Sequence, residues 1–208
     1  TRVQVVTAHK GCLWLRLATR GRAAHGATPH LGKNAVHEMA RIVDTLETDY
    51  AARLKKRKHK LLGAGTVNVG VIGGGVQPNI VPESCAISID RRTLPGETAS
   101  GVRRELQALL RAKKLSARIE SAKLAPALPL ETDSRLPLVR QFLRAVKQSR
   151  PVGVDYFCDA AVLAAGGLPS IVFGTGAIAQ AHTADEWISL AELERGKALL
   201  VRFLKSLR

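Results

Sequence analysis

Acidic residues are scarce in this chain, and unevenly so. Seventeen Asp and Glu stand against 32 Lys and Arg over 208 residues, a formal charge of +15, and the first acid is Glu38. No Glu-Glu pair and no His-x-Asp triplet occurs, and His9 is followed by Lys10-Gly11. A hydrolytic metal centre gathers several carboxylates and imidazoles, so such a centre is not written here in full. Cysteine is almost as sparse: Cys12, Cys85 and Cys158 stand singly with no CxxC spacing. That excludes a disulfide framework and fits a reducing, cytoplasmic setting. No apolar run approaches the roughly 20 residues that span a bilayer, and no charged-then-apolar leader opens the chain, so a membrane partner is not expected. Aromatic residues make up 4% of the chain, with only Trp14 and Tyr50 between residues 12 and 122. A sheet that stacks nucleic-acid bases needs more than that.

The remaining composition, 46% hydrophobic and 24% charged, is that of an ordinary globular protein. The densest basic run, Arg53 to Lys60, falls at the end of a helical pattern, where cations favour the helix dipole and are easily solvated. It is weak support for a nucleic-acid partner.

Leu13, Leu15 and Leu17 alternate with Trp14 and Arg16, the period of a half-buried strand. Val36, Met39, Ile42, Val43, Leu46, Tyr50 and Leu54 then recur at spacings of three and four, predicting one long amphipathic helix. Val67, Val69 and Val71 form a second strand and Ile87 and Ile89 a third. Val102, Leu106, Leu109 and Leu110 mark a second helix, and Leu115, Ala117 and Ile119 a fourth strand. The order β-α-β-β-α-β over residues 12–122 predicts a ferredoxin-like α+β domain, an antiparallel sheet with both helices on one face.

Pro126 and Pro129 mark a boundary. Beyond it, helices are expected over Leu136–Val146 and Asp159–Ala165, with Asp159 capping the latter. The apolar run Leu168 to Phe173 reads as a strand buried on both faces. A capping box, Ser189-Leu190-Ala191-Glu192, opens a last helix with Leu193, Leu199, Leu200, Phe203 and Leu204 on its apolar face. One or two strands do not make an α/β sheet, so this tail is expected to be part of a larger domain. The predicted organisation is residues 1–11 as a short remnant of that domain, 12–125 as the ferredoxin-like domain, and 126–208 as the C-terminal part of an incomplete α/β domain.

Two histidines sit in small-residue loops: His25 within Gly21 to Pro29, and His182 within Gln180 to Glu186, the latter with Asp185 and Glu186 close behind. Four ordered blocks carry a resemblance: Gly21 to Gly32 with Asn34-Ala35-Val36 after it, Gly73 to Pro82, Asp90 to Gly96, and Phe173 to Glu186. Together they resemble the zinc-dependent amidohydrolases and peptidases that include acetylornithine deacetylase, succinyl-diaminopimelate desuccinylase, aminoacylase and glutamate carboxypeptidase. The resemblance implies a catalytic α/β domain holding two zinc ions (cobalt or manganese are alternatives), interrupted by a ferredoxin-like lid through which the protein forms a homodimer. This chain resembles the lid and the C-terminal part of the catalytic domain only.

By the same resemblance His182 is a metal ligand, whose tautomer Asp185 or Glu186 could fix, and His25 is the catalytic lid residue that stabilises the oxyanion. Asn79 acts beside His25, and Arg92, more than Arg91, binds a substrate carboxylate. Thr175 and Gly176, in a Gly174-Thr175-Gly176 turn that departs from the relatives' Gly-Pro-Gly, line the substrate pocket, and the glycines 73–75 would admit close approach of substrate. The implied reaction is metal-assisted hydrolysis of the amide bond of an N-acyl amino acid or small peptide. With the N-terminal ligands and the general-base glutamate absent, the chain as given is expected to be inactive. Two alternatives stand beside this: a non-catalytic dimerisation or binding module, and, less supported, a nucleic-acid-binding ferredoxin-like domain.

Overall fold

The structure, a computed structural model, describes residues 1–122 and 127–207. The expected boundary at residues 125 and 126, with Pro126, lies outside the described residues. The chain forms two compact units, Thr1–Lys10 with Leu128–Arg208, and Gly11–Ala127. Strand β1 (Val6–His9) belongs to the first.

The second unit begins with β2 (Gly11–Arg20), in which the odd-numbered Leu13, Leu15, Leu17 and Thr19 are buried and Trp14, Arg16 and Arg20 are exposed. Helix α1 (Ala35–Thr45) starts where the Asn34 side chain accepts from the amides of Val36 and His37. The predicted single helix is not uniformly α: a π-helical turn, Leu46–Tyr50, joins α1 to α2 (Ala51–Lys56). The hydroxyls of Thr45 and Thr48 donate to the carbonyls of Arg41 and Asp44 at 2.8 and 2.7 Å, back-bonding that loosens a helical ladder. The looser turn keeps Leu46, Tyr50 and Leu54 buried in register with the sheet.

A two-stranded hairpin follows, β3 (Lys58–His59) and β4 (Gly63–Ala64), then β5 (Thr66–Gly74), β6 (Ser84–Thr93), α3 (Ala99–Ala112) and β7 (Arg118–Ser121). Thr98 caps α3 by accepting from Gly101. The last strand begins three residues later than the apolar alternation predicts, because Leu115 is spent in the core beneath the turn after α3. The sheet order is β5-β6-β2-β7 with every neighbouring pair antiparallel, the ferredoxin-like order. Met39, Ile42, Leu106 and Leu109 from the helices meet Leu15, Leu17, Ile87 and Ile89 from one sheet face in a single core. Among the described residues no helix of this unit packs on the other face.

In the first unit β1 pairs antiparallel with β8 (Leu130–Glu131) and parallel with β9 (Val152–Val154). Helices α4 (Pro137–Ala145), α5 (Ala160–Ala165) and α6 (Leu190–Lys205) complete it. The apolar run Leu168 to Phe173, expected as a regular strand, makes only one antiparallel bridge, Val172 to Val6, and its residues are half-buried or exposed. A strand buried on both faces needs neighbours on both sides, and among the described residues it has a neighbour on one side. Helix α6 shows the same deficit. Of its expected apolar face only Leu199 is buried and Phe203 half-buried, while Leu193, Leu200 and Leu204 are exposed. Phe142 meets Phe173 edge-on at 5.0 Å and Phe203 in a tilted arrangement at 4.5 Å, so the small core is aromatic at its centre. No helix of the described residues is long and apolar enough to cross a membrane.

His9 ends β1 fully buried. Its Nδ1 lies 2.9 Å from the Lys10 carbonyl, which can only accept, so Nδ1 holds the proton of the neutral ring, and Nε2 makes no hydrogen bond among the described residues. Burial lowers the pKa of this ring, with backbone hydrogen bonds opposing the shift. The unfolded chain therefore takes up a proton first as pH falls through about 6.5. Stability should decline from there until the lower folded pKa is reached, at up to about 1.4 kcal/mol per pH unit. Urea denaturation at pH 7.5 and 5.5 should show a steeper loss for the native chain than for His9→Gln; equal losses would refute the assignment.

Candidate active site

The His25 loop is stitched into the second unit at several points. Gly21 donates to the Glu83 carbonyl at 2.8 Å, and Arg22 and Lys33 exchange two backbone bonds of 2.9 Å. A Cβ on Gly21 would lie 1.9 Å from the Lys33 carbonyl oxygen, so only glycine permits this approach. Val81 donates to the Ala24 carbonyl at 2.9 Å and Gly26 to that of Asn79 at 2.7 Å, with His25 bridging Ile80 in antiparallel register. Ala35, at the start of α1, donates to the Pro82 carbonyl. The blocks 21–32 and 73–82, distant in sequence, thus lie side by side and make His25 and Asn79 diagonal neighbours.

His25 is exposed, and its Nδ1 accepts from the Ala27 amide at 3.1 Å. An atom that accepts an N–H cannot carry a proton of its own, so the neutral ring bears its hydrogen on Nε2 and can donate from there. Asn79 is exposed, and its side chain makes no hydrogen bond among the described residues. Both residues are thus exposed on adjoining loops, in a bridge that pairs His25 with Ile80 rather than with Asn79. Two of the glycines 73–75 have a structural reason: a Cβ on Gly74 would come within 2.7 Å of the Cys85 side chain, and Gly75 is left-handed at φ 77°, whereas a Cβ on Gly73 would meet no described atom within 4 Å.

Arg92 is placed differently. Its guanidinium grips Asp90 bidentately at 2.9 and 3.1 Å, and Asp90 also accepts from the Trp14 indole at 3.2 Å. Arg92 lies opposite Cys12 in the β2–β6 ladder, whereas Ser84 lies opposite Arg20, where the chain leaves for the His25 loop. Eight strand residues separate Arg92 from that end, about 27 Å at 3.4 Å each. The structure does not bring Arg92 to His25 within this unit. Arg91 faces the other way, wholly buried.

In the first unit the turn Gly174-Thr175-Gly176 is clamped by its own chain. The Thr1 hydroxyl donates to the Gly174 carbonyl at 2.8 Å and accepts from the Gly174 amide at 3.0 Å. Arg2 and Val3 donate to the carbonyls of Gly176 and Gly174, both at 2.9 Å. The Gly176 amide donates to Glu192 Oε1 at 3.1 Å. Glu192 is the acid of the expected capping box, but Ser189 makes no side-chain cap, and the carboxylate holds the glycine turn instead. Two of the turn's three amides are thereby used; the Thr175 amide is the one left for a ligand among the described residues. Gly196 makes room for this arrangement, since a Cβ there would meet the Thr175 methyl at 2.2 Å.

His182 follows a short 3-10 turn, Ile178–Gln180, and is exposed with a left-handed φ of 65°. A non-glycine residue in that region costs of order 1–3 kcal/mol, a strain that is met most often at functional sites. Neither Asp185 nor Glu186 hydrogen-bonds its ring among the described residues, and no group of three or more His, Cys, Asp or Glu there could hold a metal ion. Asp159 occupies the cap position of α5 but makes no side-chain cap bond, contrary to expectation. Sequence reasoning missed Thr1, Glu192 and Gly196. Only Glu192 carried a signal, and that signal imitated a helix cap.

Residues 7–118 match the model of a peptidase dimerisation domain. The acetylornithine deacetylase of Myxococcus xanthus is 29% identical over 209 residues, 97% of this chain and 54% of that protein. The N-acetyl-L-citrulline deacetylase of Xanthomonas campestris is 29% identical over 94% of this chain and 54% of its own length. The chain thus spans about half the length of the curated relatives it matches. Among solved structures, an aminopeptidase of Bacillus cereus superposes with a TM-score of 0.77 at 21% identity, over 99% of this chain and 54% of that one. An M20 family metallo-carboxypeptidase of Sulfolobus solfataricus gives 0.70 at 19% identity, over 98% and 60%. At such identities the likeness shows the fold.

Proposed function

Because the chain belongs to the family of the peptidase dimerisation domain, we propose that it is the lid and C-terminal part of a metal-dependent amidohydrolase acting on N-acyl amino acids or small peptides. The observation that carries this reading is the exposed His25 on a loop stitched to residues 79–81, with the Ala27 amide on Nδ1 leaving Nε2–H as a donor. Donors set beforehand where an oxyanion develops are worth most when the carbonyl becomes tetrahedral. In this reading His25 and Asn79 of the second unit donate to that oxygen; in the first unit, considered by itself, the Thr175 amide is left for a ligand.

His182 offers one imidazole nitrogen to a divalent metal, zinc by family habit and as a pair of ions. The described residues do not supply a complete ligand set, so what this chain contributes to hydrolysis is substrate positioning and oxyanion stabilisation. The other ligands and the general-base glutamate would come from the part of the relatives' length that this chain does not span. Taken alone, the chain turns over no amide. Arg92 has no part in this proposal, since Asp90 already occupies its fork.

The partner is a second copy. β5 is an edge of its sheet, exposed throughout Gly70–Gly74, with Val71 and Ile72 presented to solvent. Open edges of this kind pair with another strand unless blocked. Sedimentation should give twice the chain mass at tens of micromolar, and a monomer there would remove the dimer from the proposal. Combined with the metal-binding half of the Myxococcus relative, tethered or mixed, and with Zn²⁺ or Co²⁺, the chain should restore hydrolysis of N-acetylornithine. A stable complex without turnover would leave the non-catalytic dimerisation module as the better reading.

A further inference from the structure

At the β2–β7 corner of the four-stranded sheet, between its outer face and the start of α1, lies a groove of about 590 Å³ that the hydrolase reading does not use. Small side chains floor it: Ala18 faces Ala86 on β6, and Gly73 lies beyond Ala86 on β5. Arg16 and Arg20 flank Ala18 on the same face of β2, and Arg118 lies opposite Ala18 on β7. Lys33 also lines the groove.

The two acids in the groove are both committed. Glu38 accepts from the Ser116 amide at 3.1 Å and from Lys33 at 3.0 Å; Glu120 pairs with Arg118 at 2.7 Å and lies 3.9 Å from Arg16. Arg20 has no ion pair among the described residues. Four cations against two acids leave a surplus of two positive charges around a floor of methyl groups. Packing gives no reason for that surplus, because the side chains concerned are largely exposed.

We propose that this groove binds an oligophosphate, a small anion with two or more linked phosphate groups, inorganic or carried on a nucleoside. Guanidinium forks take phosphate oxygens in pairs. Arg16 and Arg20 are four residues apart on one strand, about 13 Å, with Arg118 beside the midpoint. A single carboxylate or orthophosphate reaches one of these forks; a chain of phosphates reaches all three. The volume is that of a small-molecule site.

The test is calorimetric titration of inorganic tripolyphosphate into the 208-residue chain at low chloride. Saturable one-to-one binding is expected, at least about tenfold tighter than orthophosphate. Comparison of ADP and ATP with the inorganic ligands then separates the two sources: tighter binding of the nucleotides assigns the alanine floor to a base, and equal binding assigns the site to phosphate alone. Arg20→Ala should weaken binding by about tenfold or more. Glu120→Gln should tighten it severalfold, an outcome that damage to the fold does not produce. Replacing Lys55, Lys56 and Lys58 together by alanine should change nothing. The proposal is overturned by absence of saturation, by an Arg20→Ala variant that binds unchanged, by loss of binding in the lysine triple variant, or by binding of single-stranded RNA without binding of tripolyphosphate.

Discussion

Replacing His25 with alanine in the assembled hydrolase should lower kcat by about 10²–10³-fold, close to 3–4 kcal/mol of lost transition-state stabilisation. KM should move far less, because the donor meets full charge only in the tetrahedral state. Folding should hardly notice: the ring is exposed, and its one hydrogen bond is the local one from Ala27, so a change within about 0.5 kcal/mol is expected. That separation of kcat from stability makes the result informative. His25→Gln retains a side-chain N–H at similar reach and should recover part of the lost rate, whereas His25→Phe keeps the bulk and should not. Turnover unchanged in His25→Ala would remove His25 from the chemistry altogether. A loss of kcat accompanied by an equal rise in KM would make it a residue that holds substrate in its ground state.

Much of the scaffold for this site is written in periodicity. Leu13, Leu15 and Leu17 name the inward face of β2, and the spacing of Val36 to Leu54 names the helical face that covers it. The π turn escapes such a reading because its cause is a pair of threonines choosing carbonyls four residues back, which apolar spacing does not record. Parity along β6 is legible: with Ile87 and Ile89 inward, Arg91 must also be inward and Arg92 outward. The tail is harder to read, for a different reason. Phe173, Leu193 and Leu200 promise burial that the described residues do not deliver, since half-buried strands and helices take their meaning from neighbours. At the Gly174–Gly176 turn a local rule is overridden outright. The Ser189–Glu192 spacing satisfies the capping pattern, yet the carboxylate finds a better-placed amide at Gly176. Departures from local rules collect at functional positions, and this one supports the turn that the proposed function uses.

Arg91 should be the costliest residue to lose from the second unit. Its guanidinium is 0% exposed and fully engaged: Nε donates to the Tyr50 hydroxyl at 3.1 Å, one terminal nitrogen to Glu97 at 2.6 Å, and the other to the Arg92 carbonyl. It also lies 5.8 Å from the centre of the Tyr50 ring. Glu97 is tied in turn to the Leu94 amide at 2.8 Å and to Arg57 at 3.5 Å, so the cation sits where α2, β6 and the turn before α3 meet. Burial raises the Tyr50 pKa, with Arg91 opposing that shift, so the phenol stays protonated at any ordinary pH. Arg91→Ala would leave a cavity, a largely buried carboxylate without its main cation, and a phenol without its donor. Breaking a buried pair from one side costs about 3–5 kcal/mol, and urea denaturation of the chain should show a loss of that order. Glu97→Ala should cost a comparable amount, because it strands the cation rather than the acid. Removing both together should cost less than the sum, by about 0.5–3 kcal/mol of coupling. Arg91→Met combined with Glu97→Leu fills the space without charge and should recover most of the loss, as apolar replacements of buried ion pairs do. A single Arg91→Ala loss below about 1 kcal/mol would show that the sheet and its helices cohere without this cation, and would return the task to the leucines around it.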